Sequence, residues 1–258
     1  PVDHIEGHLL VGLLEQTNKT SNSKFLISKP FPAIALVVSG GHTQLVLVKD
    51  IGNYQIIGET RDDAAGECFD KTARILGLEY PGGPAIAREA EKVKQLKTIN
   101  YPPTGDLPKG DKLQTKLPRP MMHTKDYDFS FSGLKTAVLY DYQARPKKER
   151  ESKAYVRAMA AEIQQAIIDV LLYKTLRAAK EYGAKSIILG GGVAANIELR
   201  TAIKKECAKL NLAHFIPPPN LATDNGLMIA LAGYFNFQTG KATKNWDKLE
   251  AHPNLRLV

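Results

Sequence analysis

Two histidines stand four residues apart in DHIEGHLL (3–10), a stretch that otherwise reads as an apolar helix. In a helix, positions i and i+4 lie on one face, one turn apart. His4 and His8 can therefore grip one metal ion, or they can fill a polar patch of surface; the spacing alone does not choose. A carboxylate far along the chain offers a third ligand. Asp224, in ATDNG (222–226), directly precedes a strongly apolar helix, where capping is its default role and metal ligation the alternative. Two imidazoles and one carboxylate would leave coordination positions open for substrate, a set typical of Fe(II) and possible for Zn(II).

Glycine-rich stretches suggest a second kind of chemistry. In VVSGGHT (37–43), adjacent glycines let backbone N–H groups face a bound group, with Thr43 or His42 adding a side-chain bond; a plain Gly-Gly hairpin is the alternative. LGGGVAAN (189–196) puts three glycines between a strand and a helix, where a nucleotide can meet helix N-terminal amides and Asn196 can serve as a polar ligand. It matches neither GxGxxG nor a Walker loop, and tight strand-to-helix packing is the competing account. In DDAAGECFDKTARILGLEYPGGP (62–84), Asp70 and Lys71 form a polar point on a helix, which an ordinary exposed charge pair would also explain. Gly83 in the YPGGP corner permits close backbone approach. DFSFSGLKT (128–136) offers hydroxyls and Lys135 at a helix start, equally an anion site or a cap.

These motifs need elements to carry them. Residues 4–15 read as a short amphipathic helix, followed by a polar linker over 16–24. The β-rich runs 33–39, 43–49 and 54–60, joined by short Gly-containing turns, read as an antiparallel meander. Helical periodicity covers 63–77 and 83–93, then a Pro/Gly/Lys-rich loop spans about 98–125. Further helices are expected at 132–143 and from about 149 to 182. A buried-type strand (186–191) feeds a helix (196–210), and a short strand (214–217) and a final helix (225–237) follow. The class is α/β, with a βββαβα order and helices inserted.

Composition bounds the function. With 258 residues, 43% hydrophobic and 24% charged, the chain suits one large domain or two modest ones. Cys68 and Cys207 are the only cysteines, which excludes a disulfide framework or cysteine zinc site and points to a reducing cytosol. No apolar run approaches the roughly 18–20 residues needed to cross a bilayer. The sequence opens on Pro1 and goes directly into a helix, so a preceding N-terminal part is expected, and any targeting signal would lie in it. The net charge is +8, with Lys and Arg gathered at 92–97, 109–125, 145–157 and 204–209. That suits a polyanion such as RNA, or a solvated basic surface; no aromatic-rich RNA-binding signature accompanies it.

Taken together, HIEGHLL, VSGGHTQL, GETRDDAAGECFDKTARILGLEYPGGP, FSFSGLKT, GGGVAAN and TDNGLMIALAG occur in the order seen in one family. From His4 to about Phe237 the sequence resembles the tRNA threonylcarbamoyladenosine transferases: bacterial TsaD and its archaeal and eukaryotic kinase-associated relatives, long described as glycoprotein endopeptidases. The bacterial branch is the nearer. The resemblance implies the fold shared by actin, heat-shock chaperone ATPases and sugar kinases (ASKHA, RNase H-like). Residues 1–30 would be the end of a first lobe and 31–219 a second lobe with a helical insertion over about 63–182. Residues 220–258 would form a C-terminal helix returning to the first lobe.

The resemblance further implies transfer of a threonylcarbamoyl group from threonylcarbamoyl-AMP to the exocyclic amine of the adenosine 3′ of the anticodon. His4, His8 and Asp224 match the family's ligands for one divalent metal per subunit, Fe(II) first and Zn(II) second. Val37, Val38, Ser39, Gly40, Gly41, Asp70, Gly83 and Asn196 match its nucleotide or substrate contacts, and Asp70 is a candidate base by position only. Implied partners are tRNA, a scaffold paralogue and an ATPase subunit, in the cytoplasm and away from membranes. The family's first lobe is absent from this sequence, and Asp3 stands where many bacterial members carry a further histidine. Three rivals remain: a metalloprotease, though Glu6 is one position late for H-E-x-x-H; a non-catalytic scaffold paralogue of the same fold; and a small-molecule kinase of that fold.

Overall fold

The computed structural model describes residues 1–14, 31–98 (backbone only from 94), 116–241, 243, 245, 247, 249–250 and 257. The linker expected over 16–24, and most of the loop expected over 98–125, lie outside the described residues.

Three strands, β1 (Ala33–Val38), β2 (Thr43–Asp50) and β3 (Asn53–Glu59), form the expected antiparallel meander. β4 (Ser186–Gly190) joins β1 in parallel, and β5 (Ala213–Phe215) joins β4, giving a mixed sheet in the order β3-β2-β1-β4-β5. Alternation sorts the side chains of β1. Ile34, Leu36 and Val38 enter the larger core, with α2 (Ala65–Ile75), α3 (Gly82–Thr98), α4 (Ser132–Ala144), α6 (Lys153–Glu181) and α7 (Ile197–Leu210). The smaller Ala33 and Ala35, with Val37, face α1 (His4–Gly12) and α9 (Gly226–Gln238). Covered on both sides, β1 is apolar at every position, as buried parallel strands are.

Three expectations change. α1 is not amphipathic: Ile5 through Gly12 are all buried, because the helix is clamped between sheet and α9. Gly7 and Gly12 allow this, since a Cβ there would sit 3.2 Å from the Met228 carbonyl oxygen and 3.1 Å from Leu189 O. The helix expected from about 149 to 182 is two pieces, α5 (Lys147–Arg150) and α6. Ser152 breaks them by accepting from the Tyr155 amide as the N-cap of α6. The strand expected at 214–217 is β5, one residue earlier and shorter.

Candidate metal centre

The parallel pair β1 and β4 ends at Val38 and Gly190, and the chemistry gathers beyond that carboxyl edge, where open α/β sheets place their ligands. Gly190 carries α1: a Cβ there would stand 2.7 Å from the His8 carbonyl oxygen. Gly191, at φ +85, carries the end of β1, since its Cβ would meet Val38 O at 2.4 Å. Two of the three glycines in GGG are thus accounted for by packing.

From α1, His4 presents a half-exposed ring and His8 a ring only 1% exposed, edge to face 4.9 Å apart. Asp224 comes from the segment joining α8 (Pro219–Ala222) to α9, with Oδ1 3.3 Å from His4 Nε2 and 3.1 Å from His8 Nε2. All three donor atoms fall within 4.8 Å of one another. Ligand atoms about 2.1 Å from a shared tetrahedral ion stand about 3.4 Å apart, so the set fits a small divalent cation. His8 strengthens that fit, because neither of its buried ring nitrogens makes a directed hydrogen bond. Burial, with His4 second, pushes its pKa below the ordinary histidine value and favours the neutral ring that binds metal.

The default role of Asp224 as helix cap is overturned. Asn225 caps α9, its Oδ1 accepting from the Met228 amide at 3.0 Å, and Asp224 is left exposed toward the imidazoles. Glu6, between the histidines in sequence, is turned away: its buried carboxylate accepts from Tyr54 Oη of β3 at 3.0 Å.

The β1–β2 connection is a hairpin turn, Ser39 N–H donating to His42 O at 2.8 Å, with Gly40 and Gly41 at its tip open to solvent. Thr43 does not face a ligand; its buried Oγ1 accepts from the Ala65 amide at 2.9 Å and so caps α2. Gly66 keeps α2 against the turn, since a Cβ there would lie 2.4 Å from Ser39 O. Asp70 and Lys71 are no charge pair. Asp70 Oδ1 accepts from the Gly82 amide at 2.7 Å, while Lys71 reaches Asp63 at 2.8 Å and Glu67 at 2.7 Å. The close approach expected at Gly83 occurs at Gly82, whose Cβ would stand 2.5 Å from Asp70 Cα. Asn196 caps α7 through Leu199 N and donates to Gln164 Oε1 at 2.9 Å.

The FSFS segment is an anion site already filled from within. Asp62 accepts from Ser130 Oγ and Ser132 Oγ, each at 2.6 Å, and from the amides of Phe131 and Ser132. Burial opposes it, but these bonds hold its pKa below the ordinary aspartate value. Sequence reasoning passed over Asp62, Gly66, Gly82 and Asn225; Gly82 and Asn225 adjoin the chosen Gly83 and Asp224, while Asp62 and Gly66 lie in the 62–84 stretch with no signal to set them apart.

Residues 1–231 match the family model described as tRNA N6-adenosine threonylcarbamoyltransferase. The chain is 44% identical over 242 residues to the protein of that name from Bordetella pertussis (strain Tohama I), covering 93% of this chain and 62% of that one. It is 46% identical to the one from Ralstonia pickettii (strain 12J), over 95% of this chain and 66% of that one. To the one from Geobacillus kaustophilus (strain HTA426) it is 45% identical, over 100% of this chain and 66% of that one. The chain therefore spans roughly two thirds of the length of these relatives, and 62% in the first.

Proposed function

The chain belongs to the tRNA N6-adenosine threonylcarbamoyltransferase family, and from that premise we propose that it moves a threonylcarbamoyl group from threonylcarbamoyl-AMP to the exocyclic amine of the adenosine 3′ of the anticodon. One observation carries the proposal: ligand atoms from opposite ends of the sequence, His4 and His8 against Asp224, converge within 4.8 Å beside the carboxyl edge of the sheet.

The three residues would hold one divalent ion, Fe(II) or Zn(II). Such an ion, when bound, supplies a Lewis acid for a carbonyl or carboxylate. His8, neutral through burial, is a preset ligand, and the half-exposed His4 and exposed Asp224 leave the substrate side open. The backbone at the end of β1 and of its turn (Val37–Gly41), with Gly83 and Asn196, would orient the adenylate so that AMP leaves in one direction. Asp70 is the candidate base; its Oδ1 is taken by Gly82, so a proton would go to Oδ2. The same reading extends to an ASKHA-type fold in two lobes, to tRNA, a scaffold paralogue and an ATPase as partners, and to the cytoplasm. The buried free thiols Cys68 and Cys207 suit that compartment, and no helix among the described residues is long and apolar enough to cross a membrane. A protease reading is disfavoured, because the carboxylate it needs, Glu6, is bonded to Tyr54 away from the imidazoles.

The test is metal content and transfer rate in Asp224→Ala. Both should fall by more than the 10- to 100-fold typical of losing only an outer-shell partner. Retention of metal and rate would remove the proposal.

A further inference from the structure

α6 returns antiparallel to β4: it ends at Glu181, the chain turns at Gly183, and β4 begins at Ser186. At the other end, Gln164 is bonded to Asn196, just beyond the carboxyl edge of β4. The eleven α6 residues before Gln164 therefore climb about 16 Å past that edge, at 1.5 Å per residue. This is the end of the sheet where His4, His8 and Asp224 meet. The helix tip, with α5 beside it, thus projects beyond the same edge of the sheet as the candidate centre, on the opposite face from α1.

The charges there are sorted. Arg145 is held by Asp141 and Glu149, Arg157 by Glu89, and the Arg150 guanidinium lies 5.0 Å over the Tyr142 ring. On α4 and α5 these pairs use Asp141 and Glu149, and Glu151 follows directly after α5. Lys147, Lys148 and Lys153 are exposed and have no acidic partner among the described residues. Tyr140, one turn before the end of the α4 helix that leads into α5, has a ring-bearing side chain 66% exposed. On α7 the exposed lysines are reduced because Lys209 is paired with Glu206, and the helix itself carries no aromatic residue beside Lys204 and Lys205.

We infer that Lys147, Lys148, Lys153 and Tyr140 form the surface that receives the RNA substrate, the lysines on backbone phosphates and the ring stacked on a base. Unpaired cations beside an open aromatic face are what single-stranded or looped RNA selects, and the height of the tip lets a bulky nucleic acid rest there while one base reaches the edge below. The inference rests on the tRNA reading above.

The test measures tRNA affinity of the full chain across a range of salt concentrations. Lys147→Ala/Lys148→Ala/Lys153→Ala should weaken binding on the order of tenfold and flatten the log–log salt slope by roughly 2–3. Tyr140→Ala should weaken it too, and Tyr140→Phe should not. Lys204→Ala/Lys205→Ala on α7 should bind like the parent, and melting temperatures should be unchanged throughout. If the parent binds but the lysine or Tyr140→Ala variant binds equally well, or the α7 variant is weakened as much, the surface is wrong and the tRNA reading stands. If the parent binds no tRNA even at low salt, both fall.

Discussion

Asn225 Oδ1 accepts from the Met228 amide, and that bond releases Asp224 from the helix it precedes. Neighbouring residues should therefore fail differently. Asn225→Ala should cost about 1 kcal/mol of stability, the usual loss for an N-cap, and leave metal stoichiometry intact. In the metal-free protein Asp224→Ala should leave the unfolding midpoint unchanged, while metal added back should no longer be retained or raise that midpoint. Denaturant unfolding paired with metal analysis separates them, and a stability loss in metal-free Asp224→Ala alone would return the capping role to it. Imidazole spacing and a carboxylate before an apolar helix mark His4, His8 and Asp224 in the sequence without choosing between metal and surface or cap. The resemblance joins them, and the structure brings their donor atoms within 4.8 Å. What was not legible was which of two adjacent cap-capable residues turns toward solvent, since Asp and Asn serve equally at that position. Nor could the sequence show that Glu6 is drawn off by a tyrosine 48 positions away.

The glycines sort at the scale of elements. The sequence marked two clusters without distinguishing packing from binding, because both uses require a missing Cβ. Contact distances distinguish them. Gly191→Ala would combine φ +85 with a Cβ 2.4 Å from Val38 O, so it should destabilise by at least 1–3 kcal/mol, roughly the cost of a strained backbone. Gly40→Ala meets nothing within 4 Å and should stay within about 0.5 kcal/mol of the parent. Any fall in transfer rate in Gly40→Ala would then report a lost substrate contact; equal destabilisation of both variants would refute the distinction. Asp62 plays a comparable structural part for α4. Asp62→Ala strips the bonds to Phe131 N and Ser132 N and should cost about 1 kcal/mol, like other lost caps. Strand and helix existence followed from periodicity, whereas the α5–α6 break did not, because Ser152 interrupts a pattern that otherwise runs on.

Across the whole molecule, three phenols tie elements that are distant in sequence, each by donating to a carboxylate. Tyr54 joins β3 to α1 through Glu6, Tyr155 joins α6 to α4 through Asp141, and Tyr127 joins the segment before α4 to α6 through Glu181. Burial, reinforced by the carboxylate, raises the pKa of all three, that of Tyr127 to about 12 from 10.0. In the unfolded chain these tyrosines ionise near their ordinary value, while the fold keeps their protons. Their contribution is therefore complete below about pH 10 and is lost as pH rises through the folded values, at up to about 1.4 kcal/mol per pH unit for each group. The melting temperature should be nearly level from neutrality to about pH 9.5 and fall steeply beyond it. In Tyr127→Phe/Tyr155→Phe the starting stability should be lower but the alkaline fall shallower, since phenylalanine has no proton to keep. Thermal melts of both proteins across this range decide the matter: parallel curves would show that the alkaline limit lies in other groups and that these ties do not set it.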